Sequence, residues 1–106
     1  MSIELAVNQR TFLKSKAQLL KAVVWIGKNG LNDEVLQAID KALEVDELIK
    51  VKVHESAPVD RKKVGYAIAE SINCAFVQNI GRVVVLYRPF AEKPVLKLPE
   101  AKKKKS

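Results

Sequence analysis

Cysteine, histidine and aromatic residues are scarce in this chain of 106 residues, and each scarcity removes a class of function. A single cysteine, Cys74, cannot form an internal disulfide, which fits a reduced, cytoplasmic setting. A single histidine, His54, stands without a Cys, His or carboxylate cluster at ligand spacing, so no metal site is expected. Cys74 follows Asn73 where a helix gives way to a strand, and nothing suggests a base beside it, so no nucleophile is expected. The GxxxxGK[ST] order of a nucleotide-binding loop is absent. Catalytic residues, a cofactor and a small-molecule substrate are therefore not expected, and the chain does not read as an enzyme. Aromatic residues are 6% of the total, too few for an RRM-type stacking sheet, and no RNP pattern occurs. Hydrophobic runs are too short to span a membrane. Arg10, Lys14, Lys16 and Lys21 interrupt the N-terminal region where a signal peptide would be apolar.

Basic residues, by contrast, are plentiful. The formal net charge is +7, and it is unevenly placed. Residues 1–31 carry five basic side chains against one acidic, and residues 61–106 carry eleven against three. The stretch between them, 32–60, carries three basic against eight acidic. Two basic regions around an acidic one suggest a surface with one phosphate-facing side; a charge that only keeps the protein soluble is the plainer alternative. The length is that of one small, monomeric domain, able to bury a core without disulfide or metal staples.

Hydrophobic periodicity predicts the order helix, strand, helix, strand, helix, strand, strand. Residues 1–7 read as an arm. A helix follows from Asn8, its expected N-cap, with Leu13, Ala17 and Leu20 in one apolar stripe beside Phe12. Arg10, Lys14 and Lys21 share another face, a candidate contact with a nucleic-acid backbone or simply a solvated face. Val23–Ile26 reads as a strand buried on both sides, and a second helix starts near Asn32. In Leu48–Val53, Ile49, Val51 and Val53 point one way, while Lys50, Lys52 and His54 point the other. A third helix is expected from Ser56-Ala57-Pro58, with Pro58 in its first turn and Gly65 as a close-packing site. Ala75–Ile80 and Val83–Tyr87 form a hairpin through Gly81-Arg82, with glycine placed for a type II′ turn. Strands joined by helices are expected to pair in parallel. The class is α/β (α+β): a mixed four-stranded sheet packed by helices. Residues 90–106, ending in Lys102-Lys103-Lys104-Lys105, read as a flexible basic tail.

Between the first strand and the second helix lies Gly27-Lys28-Asn29-Gly30. Glycine lets another backbone come close, and a helix start offers unpaired N–H groups. Lys28 suits a phosphate as a point charge, and Asn29 can hydrogen-bond a phosphate, sugar or base edge. Arg82 and Arg88, on and after the hairpin, are supporting cations. Lys50 and Lys52 are equally readable as a contact surface or a solvated face. Tyr87 and Phe76 read as core residues.

Three stretches together resemble the signature blocks of the CRM domain, the RNA-binding domain of chloroplast RNA splicing and ribosome maturation proteins. They are Ile26-Gly27-Lys28-Asn29-Gly30-Leu31, Glu47-Leu48-Ile49-Lys50-Val51-Lys52-Val53, and the run from Val77 to Pro89. The resemblance covers roughly residues 8–89 and is closest to the stand-alone, YhbY-like bacterial form. Ala22 and Trp25 depart from the pattern, where members often carry proline and a polar residue or methionine. The resemblance implies an α-β-α-β-α-β-β fold similar to the C-terminal domain of bacterial translation initiation factor three. It implies RNA binding through the GxxG loop, and association with precursors of the large ribosomal subunit. Two readings of other classes compete: an adaptor that binds a protein through Asp40, Glu44 and Glu47, and a general DNA-binding protein.

Overall fold

In the computed structural model, which describes residues 4–100, the elements are α1 (Val7–Ala17), β1 (Ala22–Ile26), α2 (Asp33–Val45), β2 (Leu48–Val53), α3 (Val64–Ile72), β3 (Ala75–Ile80) and β4 (Val83–Tyr87). The order is the expected one. The sheet runs β1-β2-β4-β3, with β1 and β2 parallel and both β2/β4 and β3/β4 antiparallel. One expectation about pairing changes here. β2 and β3 are joined by a helix and run the same way, but they are not neighbours. The hairpin turn has only two residues, so β4 folds back at once and takes the place beside β2. Gly81 carries a φ of 56° and Arg82 does not go positive, as a type II′ turn requires.

The strand pattern sorts side chains onto two faces. Val24 and Ile26 of β1, with Ile49, Val51 and Val53 of β2, pack with Ile39 and Leu43 of α2 and Ile68 of α3. On the other face, Leu13 and Ala17 of α1 pack on Leu48, Ala75, Val77, Val85 and Tyr87. Tyr87 is thus core, as the sequence suggests, and the half-buried Phe76 packs against the first cluster.

Gly65 is a close-packing site. A Cβ there would lie 2.4 Å from the Phe76 ring, and that ring is already tilted against Tyr66 at a centroid distance of 4.5 Å. Gly65→Ala should therefore lose the usual helix-propensity gain and more. The expected net cost is about 1–3 kcal/mol, read from the urea midpoint at unchanged slope. A midpoint equal to or above that of the parent would show that the ring moves aside freely.

Four expectations are corrected. The first helix starts a residue earlier than Asn8: its N-cap is Ala6, whose N–H donates to Gln9 Oε1 at 3.1 Å. Leu20 lies beyond the end of α1 and is exposed. β1 is buried on one side only. Val23 is 48% and Trp25 60% exposed, because α1 packs on residues of β2, β3 and β4 on that face and leaves β1 open. The third helix begins at Val64 rather than near Pro58, since Asp60 starts a tight turn first. The Asp60 carboxylate accepts the Lys62 N–H at 2.9 Å, and its carbonyl accepts those of Lys63 and Val64.

Residues 90–100 also depart from expectation, since they lie against the domain body. Glu47 is only 3% exposed, and its carboxylate accepts the N–H groups of Phe90, Val95 and Leu96 at 2.6–2.7 Å. Leu96 and Leu98 pack on the α1-side core. Asn8 Nδ2 and Gln9 Nε2 donate to the carbonyls of Glu100 and Pro99. The lysine run 102–105 lies outside the described residues.

Candidate nucleic-acid interface

The chain leaves β1 at Ile26 and turns at once. The Gly30 N–H donates to the Gly27 carbonyl at 2.9 Å, so Lys28 and Asn29 stand at the tip of a four-residue turn, both exposed. Gly30 follows with a φ of 72°, a left-handed conformation that residues with a Cβ rarely adopt. Asn32 then caps α2, its Oδ1 accepting the Val35 N–H at 2.9 Å. Asp33 and Glu34 in the first turn already oppose the helix dipole. Attraction for an anion therefore falls on the Lys28 ammonium and the tip of the turn.

The two glycines are held for different reasons. Gly30 is buried, and a Cβ there would press on Pro58 Cγ at 3.3 Å in a strained backbone. Gly27 is exposed, and a Cβ there would meet nothing within 4 Å. The fold needs the second glycine and leaves the first unconstrained.

Two more segments reach this end of the sheet. The His54 N–H donates to Ile26 O at 2.8 Å, and the Val53 N–H to Arg82 O at 2.7 Å. The loop, residues 54–63 and the Gly81-Arg82 turn are thereby set side by side. Asn79 Nδ2 donates to the Arg61 carbonyl, which holds Arg61-Lys62-Lys63 near the hairpin. All three of those cations are exposed. This triplet escapes the sequence analysis because a helix drawn from Pro58 would absorb it. Its one mark in the sequence is Asp60, a turn-former directly before three cations. Glu55 pairs with Arg82 at 3.2 Å, an exposed contact worth about 0–1 kcal/mol that a phosphate can displace.

The other expected cations divide. Lys14 and Lys21 are exposed, with Lys21 at the start of β1 and so at the end of the sheet away from the loop. Arg10 and Arg88 are half-buried struts. Arg10 Nη1 donates to the Phe76 and Val77 carbonyls at 2.5 and 2.6 Å, where β3 bulges. Arg88 donates to Asp40 Oδ1 at 2.7 Å and to the Ile72 and Asp40 carbonyls at 3.0 Å, tying α2 to the end of α3. Their planar forks are used within the fold, so neither is counted with the loop below. The acidic surface shrinks in the same way: Asp40 holds Arg88, Glu47 is buried, and Glu44 is exposed.

Cys74 is fully buried, and that burial, opposed in part by Arg88, pushes its thiol up to about 12. His54 shares a local turn with Ser56, whose N–H donates to its Nδ1 at 3.1 Å. Among the described residues, no cluster of three His, Cys, Asp or Glu could hold a metal, and no helix is long and apolar enough to cross a membrane.

Comparisons with known proteins agree with this architecture. A model of the CRS1 / YhbY (CRM) domain matches residues 5–88. A Haemophilus influenzae protein named as an RNA-binding protein is 42% identical over 95 residues, covering 90% of this chain and 95% of its own. The Bacillus subtilis probable RNA-binding protein YqeI is 38% identical over 92 residues, covering 87% and 96%. The solution structure of a Staphylococcus aureus protein, described as a candidate RNA-binding protein, superposes with a TM-score of 0.75 at 33% identity, covering 90% of this chain and all of that one. With three signature blocks, the same mixed sheet and a family match over nearly its whole described length, the chain belongs to the CRS1 / YhbY (CRM) domain family, alongside its stand-alone, YhbY-like members.

Proposed function

We propose that this protein is a non-enzymatic RNA-binding protein of large-subunit assembly. It acts as a cytoplasmic monomer on ribosomal RNA within precursor particles. The GKNG loop takes the RNA backbone, with Lys28 on a phosphate, Asn29 on a phosphate, sugar or base edge, and Gly27 and Gly30 permitting close approach. Arg61, Lys62, Lys63 and Arg82 hold neighbouring phosphates, and Lys14 and Lys21 add a more distant field. The relatives named as RNA-binding proteins support this class of ligand.

The observation that carries the reading is Gly27, a glycine that the fold does not require. A ligand passing within contact distance gives it a reason. Gly27→Ala should leave the thermal midpoint unchanged or slightly higher, since alanine restricts the unfolded chain. It should weaken RNA binding about tenfold. Unchanged affinity at unchanged stability would remove the close-approach argument.

The test of the whole reading is fluorescence anisotropy with a fragment of large-subunit ribosomal RNA and a matched DNA duplex over a salt series. The intact chain is compared with a version ending at Glu100, which keeps every docked residue described above. Each phosphate neutralised should add about 0.9 to the salt slope on a duplex or about 0.7 on a single strand. The shortened protein should still prefer RNA. Binding that disappears with the lysine run, or equal affinity for the DNA, would point to a general polyanion binder.

A further inference from the structure

The face of the sheet that α1 covers is only half covered. The α1-side core takes residues from β2, β3 and β4 and none from β1. On the open half, the register aligns Trp25 with Lys52, Lys52 with Val83, and Val83 with Ile80, one row across all four strands. Trp25 is 60% and Ile80 56% exposed, and Lys52 stands open between Trp25 and Val83. The row lies one residue before the ends of β1 and β2, at the last residue of β3 and the first of β4, and Trp25 is two residues before Gly27, so it borders the GKNG loop directly.

An indole left open on a strand costs hydrophobic free energy, and its surroundings indicate what covers it. No acidic side chain belongs to the open row or to Val23 and Lys50 beside it, whereas Lys52 and Lys50 are cationic. A polyanion with flat apolar faces fits that combination. We infer that Trp25 is a stacking platform for an unpaired base of the RNA strand whose backbone the GKNG loop holds, with Lys52 on the adjoining phosphate. The inference rests on the reading of the loop as an RNA site and extends it. The loop alone grips any backbone that fits, while the indole adds a demand for single-stranded RNA next to it. One ring stands here in place of the several that an RRM sheet uses. Base–aromatic stacking tolerates any sequence, because every base has a π-face.

The chain has one tryptophan, so its emission reports on this residue alone. The experiment titrates the full chain with a labelled 12-nucleotide single-stranded RNA and with the same backbone carrying abasic sites. It follows the anisotropy of the label and the quenching of tryptophan emission. Trp25→Leu and Trp25→Phe are compared with Lys28→Glu, and thermal unfolding checks that each exposed substitution leaves the fold intact. Expected are saturable quenching by the intact RNA, weak quenching by the abasic strand, and roughly tenfold weaker binding for Trp25→Leu. Trp25→Phe should recover most of that loss. RNA binding that depends on Lys28 yet is indifferent to Trp25→Leu and produces no quenching would overturn the platform and leave the loop reading standing. A wild-type chain that binds none of the RNAs would overturn both. A Trp25→Leu chain that changes only its sedimentation with concentration would assign the patch to self-association and overturn the platform.

Discussion

Glu47→Ala is expected to lower the unfolding free energy by about 3–5 kcal/mol. The carboxylate is buried and accepts three backbone N–H groups, those of Phe90, Val95 and Leu96. Bonds to an ionised acceptor are stronger than neutral ones. Removing the acceptor leaves three donors to find water, which requires residues 90–98 to lift away. Leu96 and Leu98 would then leave the α1-side core and expose it. Glu47→Gln keeps one carbonyl oxygen and replaces the other with a donor facing a donor, so an intermediate loss is expected. Urea unfolding followed by circular dichroism measures both. Because Glu47 precedes β2 at the end away from the loop, the fraction still folded should bind RNA as before. A Glu47→Ala protein within 1 kcal/mol of the parent would mean that the segment is held by its apolar contacts alone.

Lys28→Glu is expected to weaken binding to ribosomal RNA by about 10- to 100-fold while leaving the unfolding midpoint where it was. The ammonium is exposed at the tip of the turn, and the turn is closed by the Gly30 N–H to the Gly27 carbonyl, which the substitution does not touch. A charge-assisted bond to phosphate is worth about 1.5–3 kcal/mol, and reversal adds repulsion to its loss. The salt slope should fall by about 0.7–0.9, one phosphate contact. Lys28→Arg should retain most of the affinity, because the charge and reach remain. Anisotropy at two salt concentrations separates the outcomes. Equal weakening from Lys93→Glu would argue for a diffuse field in place of a defined grip.

The fold was legible because each element declares its period. Ile49, Val51 and Val53 alternate with lysines, and Val64, Ile68 and Ile72 repeat every four residues. The two-residue hairpin is written in Gly81. Charge spacing is less informative, since it says nothing about what a guanidinium meets. Arg10 falls in line with Lys14 and Lys21, yet its donors end on the carbonyls of a bulged strand 66 and 67 residues away. Arg88 similarly ends on α2. Glu47 looks like a member of an acidic helix face, but its partners lie more than 40 residues further on. The loop itself could be read in advance because its parts are contiguous. The Arg61–Lys63 triplet could not, because the residue that holds it in place, Asn79, lies in β3, 18 positions further along the chain.

Asn8 and Glu100 stand within a hydrogen bond of each other at 2.6 Å, and Gln9 and Pro99 are joined in the same way at 3.1 Å. The path into the domain and the path out of it therefore run side by side. Neighbouring ends make a domain portable: it can be spliced into a surface loop of a host chain or strung in series with copies of itself. They also permit circular permutation, with a short linker joining the old ends and a new break placed in an exposed turn. The GKNG loop, which lies in the interior of the chain, would keep its geometry through any of these rearrangements.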